Sequence, residues 1–153
     1  MSVLVDAYDA ALQRFDSYES RSDPIYAKGQ ATPAAEKLFK EFFPHPTWMR
    51  YWEDLQTYEE YEVKSTGTPE LYWSRAKSIT KSGSGVRIQQ CVDYRSVTTT
   101  QYGKPTQPIE SRQEPVLREI YLSKPDGYDW LIYGLVTTPG AGGKKDKSCD
   151  PSL

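Results

Sequence analysis

The sequence predicts an α+β fold in which three N-terminal helices pack on a curved antiparallel sheet, a cone-shaped roll. Two observations lead there. Apolar residues recur at helical spacing from Val5 to Leu55, then the period shortens to two around Thr57. The strand-like runs that follow are separated by short turn signals rather than by helices, so neighbouring strands are antiparallel. A chain of 153 residues makes one domain of ordinary size. It shows no internal repeat and no linker: residues 1–138 read as the single domain and residues 139–153 as a glycine- and lysine-rich tail.

The first helix is expected over Asp6 to Ser20, with Val5, Tyr8, Ala11, Leu12 and Phe15 on one face and Asp9, Gln13, Arg14 and Asp16 on the other. Ser22-Asp23-Pro24 should end it, and Ile25 to Gln30 should be a loop turning at Gly29. Thr32 is a good N-cap and Pro33 a good first residue for a second helix, whose stripe is Ala35, Leu38, Phe39, Phe42 and Phe43, stopped by Pro44. A short third helix begins at His45-Pro46-Thr47 and carries Trp48, Tyr51, Trp52 and Leu55. Tyr58 to Lys64 alternates and reads as a first strand, ended by Gly67-Thr68-Pro69. Leu71 to Lys81 and Val86 to Thr100 form a hairpin about Ser82-Gly83-Ser84-Gly85. Tyr102 to Pro105 is the next turn, and Gln107 to Glu114 is loop-like. Val116 to Ser123 and Trp130 to Thr138 form a second hairpin about Lys124-Pro125-Asp126-Gly127. Val86 to Tyr94 is the expected central strand.

Composition bounds the function. Nineteen basic against 21 acidic residues, a net charge of −2, lacks the basic face that nonspecific nucleic-acid binding needs. No apolar run approaches the ~18 residues of a membrane span. A single histidine, His45, removes most metal and triad chemistry, and no nucleophile-elbow, phosphate-loop or zinc-protease motif occurs, so no cofactor and no metal are expected. Thirteen per cent aromatic residues, including 12 Tyr and 4 Trp, suit a sheet with one packed and one wet face or a lined concavity.

The two cysteines are neither close in sequence nor near the histidine, which makes a zinc site unfavourable. Cys91 alone reads equally well as a small buried hydrophobe. Cys149 sits in a polar tail with nothing local to bury it. A Cys91–Cys149 disulfide accounts for it, with the tail glycines letting the chain fold back. Such a bond belongs to an oxidising compartment. The expectation is therefore export to the extracellular space or cell envelope. Met1 to Asp6 carries no signal-peptide pattern, so a signal would precede Met1.

Taken in order, several short segments resemble a known family: Ala7-Tyr8-Asp9-Ala10-Ala11, Tyr26-Ala27-Lys28-Gly29, Thr32-Pro33-Ala34, Gln90-Cys91-Val92-Asp93-Tyr94, Tyr102-Gly103-Lys104-Pro105, the strand at Trp130 and Ser148-Cys149. They are similar to secreted lipoproteins of actinobacteria, or of their phages, with the nuclear transport factor 2-like (cystatin-like) fold. The resemblance spans nearly the whole chain and rests on order and spacing. It implies paired cysteines and a lipid-anchored, flexible segment before the domain, although the lipid-bearing cysteine is absent here. That fold also hosts ketosteroid isomerase, scytalone dehydratase and SnoaL-type cyclases, which place an Asp, a His or Tyr pairs inside the cone.

Each candidate group is weighed against a plainer role. By alternation Asp93 shares a face with Arg87, Gln89 and Cys91, opposite Val86, Ile88 and Val92, which points to a turn-supporting carboxylate rather than a base in the cavity. His45, between two prolines, is a poor base platform. Glu59, Glu60 and Glu62 read as a solvated edge, and Lys144, Lys145 and Lys147 as a solvated tail. Trp48, Tyr51 and Trp52, at helical spacing, suit core packing, though they could wall the cone's mouth. With Tyr94, Tyr121 and Tyr133 they are the candidate pocket or partner-binding residues. The expected function is a noncatalytic, exported binding or interaction domain, its partner an envelope protein or a small apolar ligand, with no nucleic acid. Peripheral or lipid-anchored attachment and a homodimer through the sheet accompany it. The alternatives are a cyclase- or isomerase-like enzyme on a small hydrophobic substrate, or a phage surface protein blocking a receptor or superinfection. No catalytic residue is assigned.

Overall fold

The protein was analysed as a computed structural model, which describes residues 3–107, 114–138 and 149. Three helices come first: α1 (Val3–Lys28), α2 (Pro33–Phe42) and α3 (Thr47–Glu60). The strands β1 (Val63–Thr66), β2 (Glu70–Ile79), β3 (Gly85–Asp93), β4 (Thr98–Gln101), β5 (Lys104–Pro105), β6 (Val116–Ser123) and β7 (Leu131–Thr138) follow. The expected α+β class and helix-on-sheet arrangement are present. The strands form two antiparallel sheets rather than one, in the orders β1-β4-β5 and β2-β3-β6-β7. β3 lies inside the larger sheet, between β2 and β6, which makes it the central strand.

The core lies between the helices and the inner face of the larger sheet. Ala7, Ala11, Phe15 and Tyr18 form the buried stripe of α1, while Val5 is exposed. Leu38, Phe39 and Phe42 of α2 meet Val86 and Ile88 of β3, Ile120 and Leu122 of β6, and Ile132 of β7 in one cluster. Tyr18 stands edge-on to Phe43, with centroids 5.0 Å apart. Burial raises the Tyr18 phenol well above its ordinary value of 10.0, with Tyr26 and Tyr51 adding to the shift, and burial raises Tyr26 too. The sign follows directly. The phenols stay protonated in the folded state at pH values where the unfolded chain loses the proton. The stability they supply is complete below pH 10 and declines as pH rises above it. Denaturant titrations at pH 9 and 11 should show the midpoint falling, with less fall in Tyr18→Phe.

Two boundaries differ from expectation because distant packing outweighs a local signal, a third because a local turn interrupts the run, and Lys104–Pro105, expected within a turn, form β5. α1 runs through Pro24 to Lys28. A proline inside a helix costs about 3 kcal/mol, but Ile25 and Tyr26 beyond it pack against the core, and Tyr26 meets Tyr58 edge-on at 5.8 Å. The expected strand from Tyr58 is instead the last turn of α3. Tyr58 continues the stripe of Tyr51 and Leu55, and Glu59 accepts a 2.7 Å bond from the Ala31 backbone. The run expected from Val86 to Thr100 breaks after Asp93. The Asp93 carboxylate accepts from the Arg95 backbone N–H at 2.9 Å, and Val97 N–H closes the turn on Tyr94. The chain thereby crosses to the smaller sheet. The expected Thr32 cap is present, its hydroxyl accepting from Ala35 N–H at 3.2 Å. The loop expected over Gln107 to Glu114 falls largely outside the described residues, as do Lys144, Lys145 and Lys147 of the tail.

Candidate functional site

Strand alternation gives β3 two faces with different chemistry. Val86, Ile88, Gln90 and Val92 point at the helices, and Arg87, Gln89, Cys91 and Asp93 away from them. The inner face is apolar except where Gln90 and Arg118, adjacent in the β3–β6 register, interrupt it. Arg118 Nε donates to Gln90 Oε1 at 2.7 Å, and its two terminal nitrogens reach both Glu19 oxygens of α1 at 2.9 Å. Tyr94 Oη accepts a further bond at 3.1 Å. Gln90 Nε2 donates to Ser74 Oγ, which also bonds Tyr8 Oη at 3.0 Å. The guanidinium carbon lies 5.0 Å from the Phe15 ring centre. A charge this deep persists only when paired and fully hydrogen-bonded. Burial alone would lower the Arg118 pKa, but the bonds from Glu19 and Tyr94 outweigh it and hold the group charged. No buried side-chain nitrogen or oxygen among the described residues lacks a partner.

The outer face carries the disulfide. Cys91 and Cys149 are bonded across a Cα separation of 5.4 Å. Trp73, opposite Cys91 on β2, donates its indole N–H to the Cys149 carbonyl at 2.7 Å. The bond thus joins Cys149 to the middle of the sheet, on the face away from the helices. It is of the kind that persists in oxidising compartments. Beside it, Asp93 is buried and accepts bonds from Tyr72 Oη at 2.7 Å and from the Arg95 Nε–H at 2.9 and 3.0 Å. The Arg95 guanidinium holds the Asp93 carboxyl well below the usual carboxylate range, and Tyr72 rises because its proton is held by Asp93. Asp93 therefore stays ionised and fully engaged, as a turn-supporting group. Asp93→Asn should cost about 1–2 kcal/mol, since Arg95 is half exposed. A lowered folded pKa means stability present above the unfolded value of 3.8 and lost as pH falls below it. Asp16 and Asp23, raised chiefly by burial and then by Glu19, titrate with the opposite sign. The loss in Asp93→Asn relative to wild type should shrink between pH 5 and 2, measured by urea denaturation.

Towards the turn end of the same face, Arg87 lies over the Tyr121 ring, 4.3 Å from its centre. These two, with Ser78, Thr80, Ser123 and Tyr133, border a groove of about 290 Å³. Tyr72, Tyr133 and Val136 are exposed across this face. Of the other sequence candidates, Trp48, Tyr51 and Trp52 pack half-buried against the core, Tyr51 stacking on Phe43 at 4.1 Å. Tyr94 belongs to the inner network, and Tyr121 and Tyr133 to the outer groove. His45 is exposed, its ring 6.4 Å from Trp48. The structure thus divides the six aromatic candidates among three places.

Arg118, Gln90 and Glu19 were not singled out from sequence. The signal existed: Arg118 falls at an inward position between Val116 and Ile120, and Gln90 between Ile88 and Val92. A charge and an amide at apolar positions of neighbouring strands require partners, but Glu19 lies 99 residues away.

The fold and the two faces define an α+β domain whose helices cover one side of a four-stranded sheet. No protein-family model matches the chain, and no curated protein matches it either. Solved structures do share the fold. The intermembrane-space region of the chloroplast protein ARC6 superposes with a TM-score of 0.52 at 7% identity, over 83% of this chain and 95% of that one. Two structures from Catenulispora acidiphila, one of them in complex with S-DNPA, also give TM-scores of 0.52. Their identities are 13% and 14%, over 91% and 90% of this chain and 98% and 99% of theirs.

Proposed function

We propose that this chain is a noncatalytic, exported binding domain of the cell envelope, recognising its partner through the outer sheet face. The observation that carries this reading is the contrast between the faces of β3. The inner face spends its polar groups on one another, whereas the outer face joins a disulfide to exposed Tyr72, Tyr133 and Val136. Apolar and aromatic groups gathered on one exposed face mark interaction surfaces. The resemblance to secreted nuclear transport factor 2-like lipoproteins belongs to the same proposal, as does attachment through a lipid-bearing segment. The intermembrane-space origin of the ARC6 neighbour supports a location outside the reducing cytosol. Saturable binding of the oxidised protein to isolated actinobacterial envelopes is expected, and its loss in Tyr133→Ser with an unchanged melting temperature. Undiminished binding by that variant, or no saturable binding by the wild type, refutes the reading.

One observation favours the cyclase- or isomerase-like alternative: the interior does hold a carboxylate and a phenol, Glu19 and Tyr94, joined through Arg118. Both Glu19 oxygens accept from Arg118. With both oxygens occupied by the guanidinium, neither is turned to a substrate proton, so binding is the better-supported reading. The neighbour in complex with S-DNPA supports a small ligand as one class of partner.

A further inference from the structure

The groove on the outer face sets a guanidinium and hydroxyls beside largely apolar walls. Arg87 has one carboxylate within ion-pair reach among the described residues, Glu119, at 4.0 Å from its Nε. Both Glu119 oxygens already accept from Lys77, each at 3.0 Å. The Arg87 guanidinium makes no hydrogen bond to any described residue, and neither do the hydroxyls of Ser78, Ser123 and Tyr133. The guanidinium is nonetheless oriented. It stacks on Tyr121, and Tyr121 lies across Gly134, where an added Cβ would come within 3.2 Å of the ring. A Cβ at 134 would press on that ring by a few tenths of an ångström. Ser78, Arg87 and Tyr121 are aligned across three strands by register, so hydroxyl, guanidinium and ring form one row. Tyr133 stands beside them, 47% exposed.

Charge is segregated in the same sense. The described residues up to 62 carry 12 acidic against six basic side chains, and the described residues from 63 to 138 carry nine basic against six acidic. An anion is drawn to the sheet side of the molecule and repelled from the helices.

We propose that this groove binds a small organic carboxylate, its carboxylate paired with the Arg87 guanidinium and its body resting on the Tyr133 ring. A planar guanidinium fork matches a carboxylate bidentately. A phosphate dianion would need a second cation, and Lys77, next to Ser78, is engaged by Glu119. The volume of about 290 Å³ lies at the small end of ligand sites, which selects a compact molecule rather than a chain. This proposal rests on the outer face being the recognition face and names the chemistry that face selects.

The test is a nitrogen-15 NMR titration of the oxidised protein with 4-hydroxybenzoate, glucuronate and the neutral 4-hydroxybenzyl alcohol. Saturable shifts at Arg87 Nε–H and at the Ser78, Gly85 and Ser123 amides are expected with a carboxylate and not with the alcohol. Arg87→Gln should weaken binding by at least about tenfold. Arg75→Gln, which alters a guanidinium stacked on Trp73 outside the groove, should leave affinity within about twofold. The proposal is overturned if neither carboxylate gives saturable shifts up to about 10 mM, or if the alcohol or sulfate acts equally. Undiminished binding by Arg87→Gln, or saturation by polyglutamate alone, overturns it as well. Envelope binding lost in Tyr133→Ser but indifferent to Arg87→Gln would reject the carboxylate site and leave the outer-face reading standing.

Discussion

Arg118→Ala is expected to destabilise the protein by about 3–5 kcal/mol, the usual cost of breaking a buried ion pair from one side. The cause is what the truncation leaves behind. Glu19 loses both of its Arg118 hydrogen bonds, and Gln90, fully buried, loses the donor to its carbonyl oxygen. The Phe15 ring also loses the cation above it. Arg118→Lys recovers only part of this, since an ammonium cannot reach Gln90, Glu19 and Tyr94 together in the planar geometry of the fork. A double-mutant cycle makes the test specific. In an Arg118→Met background, Glu19→Gln should cost about 1–3 kcal/mol less than in wild type, because the lone carboxylate is then a liability. Additive effects in urea denaturation would refute the coupling.

Reduction of Cys91–Cys149 is the second large effect. The residues are separated by 58 positions. Loop-closure entropy for a ring of that size amounts to about 4 kcal/mol at 25 °C, a large share of the roughly 5–15 kcal/mol that holds an ordinary domain together. Urea midpoints with and without reductant should differ accordingly, and the Cys91→Ser/Cys149→Ser variant should not respond to reductant. Trp73 supplies a local signal. Its indole bond to the Cys149 carbonyl should open on reduction and change its fluorescence before global unfolding. A thiol titration finding two free thiols in the untreated protein would contradict the bond. Equal midpoints would show that it contributes little to stability.

The features legible in the sequence share one property: their cause is local or covalent. Thr32-Pro33 caps a helix through atoms three residues away, and the loop joining β6 to β7 turns where Tyr128 N–H meets the Pro125 carbonyl. Cys149 could be paired because no apolar residue near it in sequence could bury it. Two of the misread boundaries have remote causes. Pro24 looks like a stop until Tyr58, more than thirty residues later, packs on Tyr26. Tyr58 to Lys64 alternates like a strand, yet Tyr58 also keeps the helical stripe, and the core decided between the two periods. The site divides the same way. Tyr121 and Tyr133 could be placed on strand-like runs from the sequence alone. The Arg118 network was not, because its chemistry exists only where α1 crosses β3 and β6, and no window of sequence contains that crossing.

The disulfide has a mechanical consequence. With Cys149 bonded to Cys91, residues 91–149 form a covalent ring that contains β4, β5, β6 and β7. Tension applied at the C-terminus does not reach β7 first. It enters through Cys149 and is delivered to β3, which is hydrogen-bonded on both sides, by β2 and by β6. Peeling β7 from β6 one rung at a time, the weakest way to dismantle an antiparallel sheet from its edge, is closed off while the bond is intact. The oxidised protein should bear load through its centre and the reduced protein through its edge.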